Sequence, residues 1–114
     1  MRIDTPVLNT ELVLEQPVRA LDTGGGAEIV WAELGTLWAE IEAVSAREGL
    51  SGGRSASRVS HRVTVRSAPI GSPRRPNADC RFRSGSRIFA IQGVAEADTR
   101  QKYLTCWVEE GPFS

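Results

Sequence analysis

The sequence TLWAEIEAV, residues 36–44, indicates the fold most directly. Alternate positions give one apolar face, Leu37, Ala39, Ile41 and Ala43, and an opposite face, Trp38, Glu40, Glu42 and Val44. Alternation with a period of two residues is typical of a β-strand with one buried face. The segment also fits a helical stripe, and Ala, Glu and Leu are good helix formers. The β pattern of the neighbouring sequence favours a strand.

A second alternating stretch, SHRVTVRS at residues 60–67, follows after a break. His61, Val63 and Val65 share one of its faces, and Arg62, Thr64 and Arg66 share the other. The intervening residues 45–59 contain three glycines and three arginines. Long irregular segments in compact domains are usually functional or disordered. We therefore predict a rigid β-scaffold that carries a flexible loop at 45–59.

The rest of the chain predicts further strands separated by turns. Residues 1–10 read as an N-terminal arm, and strands are expected at 11–16, 28–33, 79–83, 87–94 and 102–109. Pro17 is expected to end the first strand or to place it at a sheet edge, and Leu34-Gly35 to separate the second from the third. Three prolines should hold residues 68–77 extended, and Gly85 should turn a hairpin. About six to seven strands with little helix predict a mainly-β fold, a small antiparallel barrel or sandwich with long loops.

Composition limits the class of protein. The 114 residues, 40% hydrophobic and 25% charged, suit one soluble globular domain spanning 1–114. No apolar run reaches the roughly 18 residues of a membrane-spanning helix. The N-terminus lacks the apolar stretch of a signal peptide, so we expect synthesis in the cytoplasm.

Charge is zero overall but unevenly distributed. Residues 1–48 carry three basic and nine acidic side chains, whereas residues 49–114 carry eleven basic and five acidic ones. Either acidic and basic faces of identical subunits meet in a ring, or the charges pair within one chain and with solvent. The candidate interface charges are Glu40, Glu42, Arg62 and Arg66. Overall neutrality argues against a dedicated nucleic-acid binder, for which a basic domain is expected.

No catalytic or metal-binding constellation is evident, so we predict neither an enzyme nor a cofactor. The single histidine, His61, alternates with Val63 and Val65, which is typical of a core or half-buried residue whose hydrogen bonds are satisfied. A small hydrolase would need a nucleophile motif that the sequence lacks. Cys80 and Cys106 lie in predicted strands; two buried free thiols are favoured over a disulfide.

Three tryptophans, Trp31, Trp38 and Trp107, are many for a chain of this length. Exposed aromatic rings beside arginine would stack on the bases of a single-stranded nucleic acid. Here the rings alternate with apolar residues, which favours packing in the barrel core or in a subunit interface.

Taken in order, these motifs resemble the head–tail joining proteins of tailed bacteriophages, also called head-closure, stopper or adaptor proteins, including prophage and gene-transfer-agent versions. The matching segments follow the strand ending in Trp31, and they are WAEI at 38–41, SARE at 45–48, HRVTVR at 61–66, GSRIFAI at 85–91 and YLTC at 103–106. Each segment alone is mostly a strand pattern. Their order and spacing over residues 11–109 carry the resemblance.

The resemblance implies a β-barrel that assembles as a ring of roughly six or twelve copies in the particle neck. Its partners would be the portal or adaptor ring, tail terminator proteins and packaged double-stranded DNA. The loop between the third and fourth predicted strands is then a candidate channel gate, with candidate residues Gly49, Ser51, Gly52, Gly53, Arg54 and Arg58. A surface loop or a subunit contact is the alternative for those residues. The alternative function is a small barrel that binds single-stranded nucleic acid directly.

Overall fold

The structure is a computed structural model that describes residues 5–44 and 59–111. Within these ranges there are six strands and no helix: β1 (Thr10–Leu21), β2 (Ala27–Ala43), β3 (Val59–Arg66), β4 (Arg81–Ser84), β5 (Arg87–Glu96) and β6 (Tyr103–Glu110). All pairings are antiparallel, and the order β1-β2-β3-β6-β5-β4 closes on itself where β4 pairs with β1. The predicted mainly-β fold is therefore confirmed, in its barrel form.

The two strands predicted at 28–33 and 36–44 are a single strand, β2. Gly35 lies opposite Leu14 and Glu33 lies opposite Glu15, so Leu34 is an extra residue without an opposing partner. Gly35 accommodates this β-bulge with a φ of 146°, a conformation that glycine adopts without steric cost. The predicted break at Leu34-Gly35 is wrong because the chain bulges there and continues as a strand. The strand, not the helix, is correct for this segment.

Pro17 lies within β1, directly opposite Trp31. The expectation that Pro17 ends the strand is wrong, since β1 continues to Leu21. The alternative, a sheet edge, is confirmed: β4 pairs with β1 only as far as Glu15. Beyond that point proline removes no hydrogen bond that a second neighbouring strand would need.

The core is formed by the alternate residues that point into the barrel. It comprises Leu12, Leu14, Ala39, Val63, Val65, Cys80, Phe82, Phe89, Ile91, Leu104, Cys106 and Val108. Phe82 and Phe89 lie opposite each other in the β4–β5 hairpin, which Gly85 turns with a φ of 60° as predicted. Both rings are fully buried. Because these two rings and aliphatic side chains fill a small barrel, little room remains inside for tryptophan.

The proline-rich connection between β3 and β4 consists of tight turns. Ser72 N donates to Pro69 O and Arg75 N donates to Ser72 O, both at 3.0 Å. Pro76 is fully buried. The predicted extended conformation of residues 68–77 is wrong because these local hydrogen bonds fold the segment back against the barrel.

A hairpin extension, residues 16–32, continues β1 and β2 beyond the barrel. Its two strands pair with each other, whereas β4 reaches β1 only at residues 13–15 and β3 reaches β2 only at residues 39–43. At the tip, Asp22 Oδ1 accepts hydrogen bonds from the backbone N–H groups of Gly24 and Gly26, each at 2.9 Å. The extension thus projects from the barrel end opposite Ala43, the last residue of β2.

Candidate assembly surfaces

The candidate gate residues Gly49, Ser51, Gly52, Gly53, Arg54 and Arg58 lie outside the described residues. The structure does fix the points where their segment leaves and rejoins the barrel. Val44 N donates to Ser60 O at 3.0 Å, next to the end of β2 and the start of β3. The flanking residues Val44 and Ser60 therefore lie side by side at the barrel end opposite the hairpin extension.

The candidate interface charges Glu42 and Arg62 pair within the chain. They lie directly opposite each other in β2 and β3, and Arg62 Nε donates to Glu42 Oε1 at 3.2 Å. Both side chains keep about two-fifths of their exposure, 43% for Arg62 and 40% for Glu42. An exposed pair of this kind contributes at most about 1 kcal/mol. For these two residues the structure shows the intramolecular pairing that the sequence left as an alternative.

Glu40 and Arg66 are not brought together with each other. Glu40 lies opposite Thr64, and its carboxylate accepts a hydrogen bond from Val7 N at 3.0 Å, which ties the N-terminal segment to β2. The Arg66 guanidinium instead lies over the Tyr103 ring, with Cζ 5.9 Å from the ring centroid. A role for any of the four charges between subunits remains a prediction.

An Arg–aromatic strip lines the outer face of β3 and β6. It has three rungs set by the strand register: Arg62–Trp107, Thr64–Thr105 and Arg66–Tyr103. The Arg62 guanidinium lies over the Trp107 ring, with Cζ 5.4 Å from the centroid. The strip presents arginine and aromatic groups side by side, the residue types enriched in protein–protein interfaces.

All three tryptophans lie on the outside of the barrel. Trp38 keeps 56% of its exposure, and Trp31 and Trp107 are also exposed. The prediction that tryptophan fills the barrel core is wrong, because the inward positions of the same strands belong to smaller side chains. The other predicted location, a subunit interface, stays a prediction.

A charge cluster that the sequence did not reveal lies at the base of the hairpin extension. Arg81 Nε donates to Glu15 Oε1 at 2.7 Å, and Arg83 Nε donates to Glu15 Oε2 at 2.9 Å. Arg83 also donates through Nη2 to Glu33 at 2.9 Å. The Arg81 guanidinium covers the Trp31 ring, with Cζ 4.1 Å from the centroid. We call Glu15, Glu33, Arg81, Arg83 and Trp31 the basal clasp.

Glu15 is the central acceptor of the basal clasp and is almost fully buried. Burial acts to raise the pKa of its carboxyl, but the hydrogen bonds from Arg83 and Arg81 outweigh burial and hold that pKa below its usual value. These side chains lie on the outward faces of their strands, next to the buried Leu14 and Phe82. What the sequence lacked was the β1–β4 pairing that puts them in contact.

His61 is a core residue, as predicted, but its hydrogen bonding is incomplete. Its ring meets Phe89 edge-to-face at a centroid distance of 5.6 Å. Nε2 lies 3.8 Å from Glu110 Oε1, and the buried Nδ1 has no hydrogen-bond partner among residues 5–44 and 59–111. In the described ranges no group of His, Cys, Asp and Glu side chains could hold a metal ion, nor does any helix there have the length and apolarity to cross a membrane.

Both cysteines are free and buried, which agrees with the predicted free thiols. Burial raises the pKa of Cys106 to about 12 and also raises the pKa of Cys80. Because the thiolate is the reactive form, these groups are suited to packing. Cys80 precedes β4 and is not inside a strand as predicted, since the β1–β4 pairing begins at Arg81.

The small closed barrel leaves three tryptophans and a projecting hairpin exposed, and exposed apolar patches mark surfaces for protein–protein contact. The chain belongs to the phage head completion protein family, whose profile matches residues 3–111. The predicted resemblance is confirmed, and the family is one of structural virion proteins of the head–tail neck, not of enzymes. The alternative of direct binding to single-stranded nucleic acid receives no support from this membership.

Two solved structures are similar over nearly the whole chain. A chain in the virion of a native gene transfer agent (GTA) particle is 40% identical with a TM-score of 0.75, covering 92% of this chain and 96% of that one. Protein SF1141 from Shigella flexneri 2a is 24% identical with a TM-score of 0.64, covering 94% and 96%. The second likeness shows the fold alone. No curated protein matches the chain.

Proposed function

We propose that this protein, made in the bacterial cytoplasm, forms a ring of roughly six or twelve copies in the neck of a phage-like particle. The ring lies between the portal or adaptor ring and the tail, closes the head, retains packaged double-stranded DNA and docks the tail. Family membership and the similar chain in a gene transfer agent virion support this role.

The observation that carries the proposal is the exposure of large apolar side chains. Among the described residues, nine large hydrophobic side chains are exposed, including all three tryptophans. Monomeric soluble proteins rarely leave contiguous apolar patches uncovered, and such patches mark protein–protein contacts. A subunit that works inside a ring buries these surfaces when it assembles.

The segment at 45–58 is the proposed gate of the ring channel. It leaves and rejoins the barrel at one end, between Ala43 and Val59. Glycine can adopt backbone conformations closed to other residues, and the three glycines of the segment would let it rearrange. Arg54 and Arg58 would attract DNA phosphates in a salt-dependent manner. A surface loop or a subunit contact is the competing role for these residues.

Deletion of residues 51–55 tests the gate. Particles that carry the deletion should assemble with normal amounts of this protein in the neck but lose DNA, measured as the nuclease-protected DNA in each particle. Protection equal to that of wild-type particles contradicts the gate and leaves the ring proposal standing.

A charge-matched pair of variants separates arginine chemistry from loop length. Arg54→Ser with Arg58→Ser should reduce nuclease protection, with a larger effect at low salt. The control is Arg74→Ser with Arg100→Ser, which removes the same charge from exposed positions away from the segment. Equal DNA loss from both variants would assign the effect to net charge and contradict a local gate.

The ring is separable from the alternative function by the behaviour of the isolated protein. Salt-dependent binding of single-stranded DNA by the monomer would favour the alternative. Assembly only together with portal, adaptor or tail proteins supports the neck ring, and native mass spectrometry of the mixture measures it.

A further inference from the structure

We propose that the hairpin extension of each copy docks onto the Arg–aromatic strip of the next copy. This inference rests on the proposed ring and names the surfaces that hold it together. The contact joins two different surfaces, so every copy donates one extension and accepts one, and repetition closes a ring when the rotation between neighbours allows it.

The hairpin extension carries apolar side chains on both faces that stay exposed on its own chain. It holds five of the nine exposed large hydrophobic side chains in the described ranges: Val18, Leu21, Ile29, Val30 and Trp31. The register puts Val18 opposite Val30 on one face, and Pro17 opposite Trp31 on the other. Leu21, near the tip, keeps 86% of its exposure.

The extension is pre-ordered for binding. Asp22 closes its tip by accepting the N–H groups of Gly24 and Gly26. Arg81 holds its base by covering the Trp31 ring while bound to Glu15. An element ordered before contact loses less conformational entropy on binding, which favours association.

The Arg–aromatic strip is a suitable receiving surface. Its aromatic rings lie under guanidinium groups, and its middle rung, Thr64–Thr105, carries two short side chains. Thr64 is buried within its own chain, so the surface open to a partner is that of the two outer rungs, Arg62–Trp107 and Arg66–Tyr103. Trp107 stays exposed despite Arg62 above it, so apolar surface remains for a partner to cover.

Charge complementarity identifies the occupant as a second copy. Glu28 lies opposite Ala20, on the same face of the extension as the Val18–Val30 pair, and it is exposed. On the strip, Arg66 contacts the Tyr103 ring and has no ion pair within the described ranges. The extension belongs to the acidic half of the chain and the strip to the basic half. Docking between copies would pair Glu28 with Arg66.

Disulfide trapping in assembled particles tests the contact. A chain carrying both Val30→Cys and Tyr103→Cys should give a ladder of covalent oligomers on mild oxidation, because each copy is linked to the next. Either substitution alone should leave monomers, since each interface then holds one new thiol. The buried Cys80 and Cys106 stay unchanged. The matched control combines Val30→Cys with Gln92→Cys, an exposed position on β5.

The outcomes separate this inference from the ring itself. No ladder, or a ladder equal to that of the control, overturns the docking contact if the protein is present in the neck. Dimers from Val30→Cys alone would show extension meeting extension and also overturn it. A cross-link to a protein of another size would assign the extension to a different partner. Absence of the protein from particles would contradict the proposed function.

Charge reversal gives an independent readout. Glu28→Arg or Arg66→Glu alone should weaken association between copies by about tenfold, and the combined variant should recover most of that loss. Glu96→Arg, at an exposed carboxylate on β5, is the control. Circular dichroism establishes that each variant is folded. Failure of the combined variant to recover association, with folding intact, overturns the Glu28–Arg66 pairing.

Discussion

The barrel and the hairpin extension are built from the same two strands, yet their apolar side chains have opposite environments. In the barrel, Leu12 and Leu14 of β1 are buried between paired strands. In the extension, Val18 and Leu21 of the same strand are exposed. Apolar content alone therefore does not decide whether a side chain of this strand is buried. Burial depends on whether further strands close the sheet around that side chain.

A β-bulge and the basal clasp lie at the boundary between the barrel and the hairpin extension. The bulge at Leu34 interrupts the register opposite Leu14 and Glu15, and the basal clasp begins at Glu15. Arg81 contacts Glu15 on the barrel and Trp31 on the extension at once. The basal clasp therefore ties the hairpin extension, which has no closed barrel around it, to the barrel through direct contacts.

The largest expected difference between the regions is in stability. Phe82→Ala should lower the free energy of unfolding by about 3–5 kcal/mol, because it leaves a cavity in a filled barrel. Ile29→Ala in the extension should change it by less than about 0.5 kcal/mol. Denaturant unfolding followed by tryptophan fluorescence measures both. Similar losses of unfolding free energy from the two substitutions would contradict the difference in packing between the barrel and the hairpin extension.

The next effect is at the boundary. Glu15→Gln should lower the free energy of unfolding by about 1–3 kcal/mol, because it leaves two arginines without their shared carboxylate. Glu33→Gln, at the exposed end of the same clasp, is the control and should cost less than about 1 kcal/mol. Equal losses from the two variants would show that burial of Glu15 has no energetic consequence.

The stability of the protein at acid pH should depend on the same Glu15 carboxylate. The pKa of Glu15 is lower in the folded than in the unfolded chain, so its contribution is present above the unfolded value of about 4.3 and is lost as pH falls through the folded value. The pKa of Glu110 is also lowered, chiefly by the Arg87 hydrogen bond, and acts in the same direction. The free energy of unfolding should therefore fall less steeply with decreasing pH in Glu15→Gln than in the wild-type protein. An equal dependence of the free energy of unfolding on pH in the two proteins would contradict a lowered pKa of Glu15.

A smaller effect is expected on the local dynamics of the hairpin extension, with little change in the barrel. Arg81→Lys keeps the charge but loses the planar group that covers Trp31 and binds Glu15. Amide hydrogen exchange should become about tenfold faster in the extension and stay nearly unchanged at Val63 and Leu104. Arg100→Lys, an exposed substitution outside the clasp, should change neither. Uniformly faster exchange would mean that the clasp supports the whole barrel.

The smallest expected effect is at the tip. Asp22→Ala removes the carboxylate that accepts the Gly24 and Gly26 N–H groups, and it should cost at most about 1 kcal/mol. Nuclear magnetic resonance should show faster exchange of these two amides, with unchanged shifts in the barrel. Thr23→Ala, at the neighbouring exposed position, is the control. Shift changes that reach β3 or β6 would contradict an independent tip.

The barrel could be predicted from the sequence because side-chain alternation reports which face of a strand is buried. It identified Val63 and Val65 as inward, and it placed Trp38 beside Glu40 and Glu42 on the outside. The assignment of tryptophan to the core gave more weight to hydrophobicity than to that alternation. Alternation was the better guide because the inside of a small barrel is limited in volume.

Pro17 and Gly35 were misleading because each is usually a strand breaker. Both are tolerated here: Pro17 lies beyond the last contact with β4, and Gly35 forms a bulge in a strand that continues. The basal clasp could not be predicted, because Glu15 meets Arg81 and Arg83 across a separation of 66 and 68 residues. Period-two patterns carry no information on which distant strands become neighbours.

Electron cryomicroscopy of the particle neck is the direct test of whether the hairpin extension joins the copies of a neck ring. A ring of this chain should lie between the portal side and the tail. In that ring, Val18 and Val30 of each copy should lie against Tyr103 and Trp107 of its neighbour. A neck that lacks this chain would contradict the proposed ring, and a ring in which the extensions stay exposed to solvent would contradict the docking contact.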